Sequence, residues 1–322
     1  MYKEFLKQHP ISRKRILESR DLINGLRCNR NERVEYWEEN FLKQLSEGIS
    51  AIDHTIYPDL STLYKAIAEF ESIKEENLLI GSGIDGIIKN IFENYTFPGM
   101  NIGVISPTYA MYYVYGKLFK TNIKHIKYKI SNFSLDKKQL LNSIKDIKLL
   151  FIPNPNQPIE DNLDINFLEK VASECLENDV LLVIDEAYYG FGCPTAKSLL
   201  NKFPNLLIMR TFSKAFGMPS IRVGYMMGEN RLIKLLSQKR LSYETTQYSA
   251  HIAKKIIENI DYINKYNLSL SKARKRLVED IRNLGYRVNG NNANYILIDF
   301  LDEMNKKKFA KKFLERKIYI KE

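Results

Sequence analysis

The sequence predicts an α/β protein, on three observations. Short unbroken apolar runs recur five times between positions 78 and 209, each run is followed at once by Gly, Pro, hydroxyl or charged residues, and helically spaced apolar residues lie between them. Continuous apolar runs, as opposed to alternating ones, mark strands covered on both faces, which belong to mainly parallel sheets clad in helices. Leu78-Leu79-Ile80 runs into Gly81-Ser82-Gly83, and Ile102-Gly103-Val104-Ile105 into Ser106-Pro107-Thr108-Tyr109. Leu149-Leu150-Phe151-Ile152 precedes Pro153-Asn154-Pro155-Asn156-Gln157-Pro158. Val180 to Ile184 ends in Asp185-Glu186-Ala187-Tyr188, and Leu206 to Met209 in Arg210-Thr211-Phe212-Ser213-Lys214. Ile87, Ile88, Ile91 and Phe92 show the spacing of an intervening helix.

Beyond about Gly228 the pattern turns to long charged helices carrying Ile256, Ile257, Ile260, Ile263 and the stretch Leu268 to Ile281. A strand candidate, Tyr295 to Phe300, and a closing helix follow; in the latter, Lys306, Lys307, Lys308, Lys311, Lys312, Arg316 and Lys317 interleave with Phe309, Phe313 and Leu314. The expected organisation is an N-terminal arm with a segment packing on the small domain (1–53), a large domain (54–230) and a smaller α/β C-terminal domain (231–322).

Composition narrows the function classes. With 44% hydrophobic residues, 15 Gly and 10 Pro in 322 positions, a disordered or collagen-like chain is excluded. The longest apolar stretch, Tyr109 to Gly116, is far below the roughly 20 residues of a membrane-spanning helix. Met1 to Pro10 lacks the apolar core of a secretory signal, and Cys28, Cys175 and Cys193 form no CxxC pair, so a cytoplasmic protein with reduced thiols is expected. His9, His54, His125 and His251 are scattered, which disfavours a metal site. The formal charge of +11 suggests an anionic partner, but no helix-turn-helix, zinc-finger or RNP-like pattern points to nucleic acid.

The chemistry-bearing residues collect at the carboxyl ends of the predicted strands, where open α/β sheets bind ligands. Gly81-Ser82-Gly83-Ile84-Asp85-Gly86 fits G-x-G-x-x-G between a strand and a helix, so backbone N–H groups and the helix dipole can hold a phosphate. A dinucleotide site would need an acid closing the next strand, and that strand closes in Ser106-Pro107. Thr211, Ser213 and Arg222 form a second phosphate-binding set around Lys214. Lys214 is either one more solvated lysine or a desolvated nucleophile of the kind that forms Schiff bases. Asp185 ends so apolar a run that its carboxylate is either a helix N-cap or pairs with a protonated group such as a ring nitrogen. Tyr188 is placed to meet a neighbouring phenolic oxygen. Tyr109 either lies flat on a ring or joins Tyr112, Tyr113 and Gly116 in a core stripe. An aldehyde-bearing lysine, a phosphate cradle, an acid for a pyridinium nitrogen and a stacking aromatic together describe pyridoxal 5'-phosphate chemistry.

In these motifs and their order, from about Tyr57 to Arg222 with a further match at Ala293-Asn294-Tyr295-Ile296, the chain resembles the fold-type I class I/II aminotransferases, and most of all their histidinol-phosphate aminotransferase branch. The resemblance implies that Gly83, Ile84 and Asp85 present N–H groups to the cofactor phosphate with Thr211, Ser213 and Arg222, that Tyr109 stacks on the ring, and that Asp185 and Tyr188 meet the ring nitrogen and phenolic oxygen. It makes Lys214 the cofactor-bearing lysine, which carries the proton during transfer. It also implies a homodimer, with Tyr57 reaching the phosphate in the partner subunit. Gln157-Pro158-Ile159-Glu160 stands where the family reads Asn-Pro-Thr-Gly, so the amide for the phenolic oxygen falls to Gln157 or to Asn156. Family members continue beyond the segment like Lys317 to Lys321 into a strand whose Arg clamps the substrate carboxylate, so against them the chain reads as short by a strand and a helix. The implied activity is transamination of a small, phosphorylated substrate; the alternatives are a decarboxylase of a phosphoamino acid and a non-catalytic binding module on the same fold.

Overall fold

The structure, a computed structural model, describes residues 25–52, 54–129 and 131–321. Residues 1–24 of the expected N-terminal arm, the segment read for a secretory signal among them, lie outside the described residues. In chain order the first elements are β1 (Leu26–Arg27), α1 (Glu39–Ser46), α2 (Ser61–Glu71), β2 (Leu78–Gly81), α3 (Gly83–Tyr95), β3 (Asn101–Ser106) and α4 (Met111–Leu118). Next come β4 (Asn122–Lys129), β5 (Ser134–Leu135), α5 (Lys137–Ser143), β6 (Leu149–Pro153), α6 (Ile165–Glu177), β7 (Leu181–Asp185), β8 (Leu206–Thr211) and β9 (Gly224–Gly228). The chain then runs through α7 (Asn230–Leu236), α8 (Gln247–Glu258), α9 (Ile260–Asn283), β10 (Arg287–Asn289), β11 (Leu297–Asp299), α10 (Glu303–Glu315) and β12 (Ile318–Tyr319).

Eight strands form one sheet in the order β2-β9-β8-β7-β6-β3-β4-β5. The pairs β3/β4, β3/β6, β6/β7 and β7/β8 are parallel, whereas β9 runs antiparallel to both β2 and β8. This is the mainly parallel, helix-clad α/β architecture that the five apolar runs predict. Strands β6, β7 and β8 are buried along their whole length because their side chains feed two cores by turns. Leu150, Ile152, Leu182, Ile184, Leu206 and Ile208 face α2, α6 and α8. Leu149, Phe151, Leu181, Val183, Leu207 and Met209 face α3, α4 and α7.

Two strands carry no such run. β4 reads Asn-Ile-Lys-His-Ile-Lys-Tyr-Lys and is largely exposed towards the sheet edge, and β9 is Gly-Tyr-Met-Met-Gly. The register of β9 sets the site: Gly224 pairs with both Gly81 and Thr211, so the ends of β2 and β8 lie at one level. The late strand candidate is shorter than expected, Leu297–Asp299 in place of Tyr295 to Phe300, because Asn294 and Tyr295 turn to contact Asn31 and Asn156. The closing basic helix forms as α10 and buries no residue. Among the described residues no helix is long and apolar enough to cross a membrane.

At the α2 side of the sheet sits a buried ion network. Arg210 donates from both Nη1 hydrogens to the Glu71 carboxylate at 2.7 Å, and from Nε and Nη2 to Glu186 Oε2 at 2.9 and 2.7 Å. Its remaining Nη2 hydrogen goes to Thr195 Oγ1 at 2.7 Å, so all five donors of the guanidinium are used. The Tyr225 hydroxyl donates to Glu71 at 2.5 Å, Ala196 N–H to Glu186 at 2.6 Å, and Lys197 Nζ lies 3.4 Å from Glu71. Replacing Arg210 by Met strands two buried carboxylates, and we expect it to lower unfolding free energy by about 3–5 kcal/mol, read from urea denaturation; a loss below about 1 kcal/mol contradicts this assignment.

Candidate active site

A cavity of about 1100 Å³ opens beyond the carboxyl ends of β7 and β8. Of the residues singled out in the sequence, Ile84, Asp85, Tyr109, Gln157, Asp185, Tyr188, Thr211, Ser213, Lys214 and Arg222 line it. Tyr57 does not: it is 76% exposed and stacks on Tyr243 with centroids 4.7 Å apart.

One wall is an anion cradle. Chain direction reverses between β2 and α3 through Gly83, whose φ of +67° favours glycine. A Cβ at Gly83 would lie 2.5 Å from Arg222 Nη2, so glycine is what lets the guanidinium approach the helix start. Gly224 is constrained likewise, since a Cβ there would lie 2.8 Å from the Gly83 carbonyl carbon. Arg222 Nη1 reaches Ser213 Oγ at 3.4 Å, and Ser213 N–H donates to Thr211 Oγ1 at 3.2 Å. Helix N–H groups, two hydroxyls and a guanidinium thus converge on one volume, the donor set that a phosphate monoester requires.

The same cavity carries the titrating groups. Lys214 Nζ donates to the carbonyls of Arg30 and Asn31 at 3.1 and 3.2 Å. Burial lowers its pKa to about 8, with Arg222 adding to the fall and Glu32 and Asp185 opposing it. Asp185 is buried, and its carboxylate is held at both oxygens: Oδ1 accepts from Ala187 N–H at 2.9 Å, and Oδ2 from the Tyr112 hydroxyl at 2.5 Å. Burial raises its pKa to about 6 against the opposing pull of those two hydrogen bonds. The N-cap alternative describes the Ala187 contact, but Asp185 also faces the cavity, as a partner for a protonated ring nitrogen must. The tyrosine stripe divides: Tyr109 lines the cavity, 41% exposed, while Tyr112 and Gly116 are buried in the core.

Between the two candidate amides, Gln157 lines the cavity, whereas Asn156 is buried and its Nδ2 donates to the carbonyls of Pro107 and Ile159 at 3.0 and 3.2 Å. The nitrogen of Asn156 is therefore committed to the fold and not to a ligand. Glu160, another departure, is 1% exposed and accepts backbone N–H groups of Asn291 and Asn292 at 2.7 and 2.5 Å. It fixes the turn that presents Asn294 and Tyr295.

Sequence reasoning passed over the segment from Gly25 to Trp37, which covers the cavity. Asn31 Nδ2 donates to the Tyr188 hydroxyl at 2.9 Å, and its carbonyl accepts from Asn294 Nδ2 at 3.0 Å. Arg33 is sandwiched between the rings of Trp37 and Tyr266, at 3.6 and 3.4 Å, and Trp37 Nε1 donates to the Gly217 carbonyl at 3.3 Å. The signal available was the Arg33/Trp37 spacing of four residues beside the chain's one tryptophan.

These walls suit the pyridoxal 5'-phosphate that the resemblance implies. The cradle has the donors a phosphate needs, Lys214 offers a half-buried amine, and Thr108 Oγ1 is a buried cavity-lining hydroxyl with no partner in the protein. Fold and cavity together are those of an α/β enzyme with a half-buried lysine at the carboxyl end of its sheet. The model of the aminotransferase class I and II family matches residues 39–322, and the chain belongs to that family. It is 30% identical over 269 residues to a histidinol-phosphate aminotransferase of Pyrococcus furiosus, covering 82% of this chain and 77% of that protein. Its identity to that of Sulfurisphaera tokodaii is 28%, over 86% of this chain and 79% of that protein. The fold superposes on the histidinol-phosphate aminotransferase of Sinorhizobium meliloti, solved in complex with pyridoxal-5'-phosphate, with a TM-score of 0.82 at 20% identity over 96% of this chain and 90% of that one. The enzyme of Clostridium acetobutylicum gives 0.81 at 24% identity, over 91% of this chain and 88% of that one.

Two predictions follow from the geometry. The folded pKa of Asp185 lies above its unfolded value, so its favourable contribution in the cofactor-free protein is present at low pH and is lost as pH rises through about 6. Asp185→Asn does not titrate; its stability relative to wild type should therefore rise by about 1 kcal/mol between pH 5 and pH 8, measured by urea midpoints of the cofactor-free proteins. Glu160→Ala removes the acceptor of the solvent-accessible Asn291 and Asn292 N–H groups and of the buried Ala293 N–H, and should lower stability by about 1–2 kcal/mol in the same assay.

Proposed function

We propose that this aminotransferase, working with pyridoxal 5'-phosphate as a cytoplasmic homodimer, transfers an amino group between an amino acid donor and a small phosphorylated carbonyl or amine. The observation that carries the reading is a half-buried Lys214 with lowered proton affinity sharing one cavity with the buried Asp185 and a phosphate cradle. When bound, the cofactor supplies the carbonyl that takes up the amino group and the ring that draws electrons from the reacting carbon.

The chain's residues supply the rest. N–H groups of Gly83, Ile84 and Asp85 hold the phosphate with Thr211, Ser213 and Arg222, and Tyr109 covers the ring face. Asp185 keeps a proton on the ring nitrogen, while Tyr188 and Gln157 meet the phenolic oxygen. Lys214, whose pKa of about 8 leaves an appreciable neutral fraction near neutrality, moves a proton at Nζ. Residues 54–230 serve as the cofactor-binding unit, 231–322 as the smaller one and 1–53 as an N-terminal arm and segment packing on the small domain. A second copy is supported by the exposed apolar group of Ile56, Tyr57, Leu241 and Tyr243, and Tyr57 is proposed to reach the partner subunit's phosphate. Three unpaired thiols support a reducing compartment. A phosphorylated substrate is supported by the relatives' names and by the cavity-lining cations Arg27, Arg30, Arg33 and Lys321.

The purified protein should carry a visible absorbance that borohydride bleaches and that Lys214→Ala abolishes. Histidinol phosphate with a 2-oxo acid acceptor should yield the corresponding amino acid; phosphoserine should release no CO2. A colourless wild type, or CO2 release without transamination, overturns the reading.

A further inference from the structure

We infer that Tyr112 is a positioning residue for Asp185: its hydroxyl, donated to Oδ2, fixes the carboxylate in the plane from which the free lone pairs face the cavity. The inference deepens the proposed function and rests on it. Tyr112 is fully buried on α4, one helical turn after the cavity-lining Tyr109, against which it packs edge-on with centroids 6.2 Å apart. Its ring also packs on Phe151 of β6 at 4.7 Å, so the hydroxyl has little freedom to leave its 2.5 Å contact with Asp185. The second carboxylate oxygen is fixed by Ala187 N–H at 2.9 Å. A carboxylate has about four acceptor positions. With one occupied on each oxygen by donors from different elements, rotation about the Cβ–Cγ bond would break both bonds, and the open positions are those presented to the cavity.

The direction of donation follows from the surroundings. Burial and the adjoining carboxylate raise the Tyr112 pKa well above its ordinary value, so the phenol keeps its proton and the aspartate accepts. The other titratable groups that act on Asp185 are Glu186 next in the chain, and Lys214, Tyr109 and Tyr188, which line the same cavity. Among these side chains, Tyr112 is the one with a hydrogen bond to the carboxylate. Removing its hydroxyl takes away a donor that favours the ionised form, and leaves the packing of the ring in place.

The test uses Tyr112→Phe, Asp185→Asn and the double variant, each in cofactor-free and cofactor-loaded form. In the cofactor-free protein, the carboxyl carbon resonance of Asp185, assigned by its loss in Asp185→Asn, should titrate at least one pH unit higher in Tyr112→Phe than in wild type. In the loaded enzyme, kcat should fall about tenfold in Tyr112→Phe with KM changed less than twofold. The double variant should be no slower than Asp185→Asn alone, since Tyr112 acts only through Asp185. An unmoved Asp185 titration, or losses that multiply in the double variant, overturns the inference. If Tyr112→Phe does not fold, the Asp185→Asn background decides: a hydroxyl that acts through the carboxylate becomes dispensable there, and failure of the double variant to fold as well assigns Tyr112 to packing alone. A wild type that takes up no cofactor refutes the proposed function and leaves the Asp185 titration readable.

Discussion

Arg210, held between Glu71 and Glu186, is the constraint from which the site's geometry follows. Side chains alternate across a strand, so Glu186 and Arg210 lie on the α2 face with Leu182, Ile184, Leu206 and Ile208, while Asp185 and Thr211 fall on the α3 and α4 face. The network therefore grips β7 and β8 one residue away from each functional position and from behind. Glu186 further accepts Ala196 N–H and Glu71 accepts the Tyr225 hydroxyl of β9, so the grip extends to the strand whose Gly224 lies between Gly81 and Thr211. A network this buried is weak evidence for net stability, because desolvating the ions offsets most of their attraction. What its five guanidinium donors provide is one register for three strand ends.

The functional face is arranged on the opposite principle. Asp185 is buried and Lys214 half-buried, yet the hydrogen bonds of each go elsewhere, to Tyr112 and Ala187 in one case and to the carbonyls of Arg30 and Asn31 in the other. Each therefore bears most of its desolvation without a paired counter-charge, which moves the carboxyl up to about 6 and the amine down to about 8. Between these values both groups are charged in a cavity that opposes both charges. A ligand with an anionic group for the cradle and a protonated ring nitrogen for Asp185, as proposed, would relieve that strain and so stabilise the folded state by mass action.

Much of this was legible in the sequence because the strands are covered on both faces. Continuous apolar runs located β2, β3, β6, β7 and β8, and each run is followed by residues that line the cavity, Asp85, Tyr109, Gln157, Asp185 and Lys214 among them. β4 escaped because an alternating Asn-Ile-Lys-His-Ile-Lys pattern near a sheet edge is not distinguishable from a loop rich in charge, and β9 because glycines bound its ends for reasons of tertiary contact alone. The cover from Gly25 to Trp37 escaped for a different reason. Its contacts with Lys214, Tyr188 and Gly217 join positions some 150 to 180 residues apart, and no local period encodes them. The stripe of Tyr109, Tyr112, Tyr113 and Gly116 shows the limit of periodicity most clearly: one helical spacing served a cavity wall and a core at once.

Two of the three departures from the family motif, Gln157 and Glu160, belong to one arrangement. Gln157 stands at the cavity while Asn156 is turned back to Pro107 and Ile159, and three residues on Glu160 places its carboxylate beneath the turn at Asn291 and Asn292. The side chain of Asn289 closes the same contact from the other side, accepting Glu160 N–H at 2.6 Å and donating to its carbonyl at 3.0 Å. The glycine of the family motif would leave that turn's donors to water. With glutamate there, the loop after β6 and the segment before β11 are joined by hydrogen bonds in both directions. The joined segment then supplies Tyr295 to the Asn156 carbonyl and Asn294 to Asn31. The cover over Lys214 is in this way tied back to the sheet through the residue that breaks the motif.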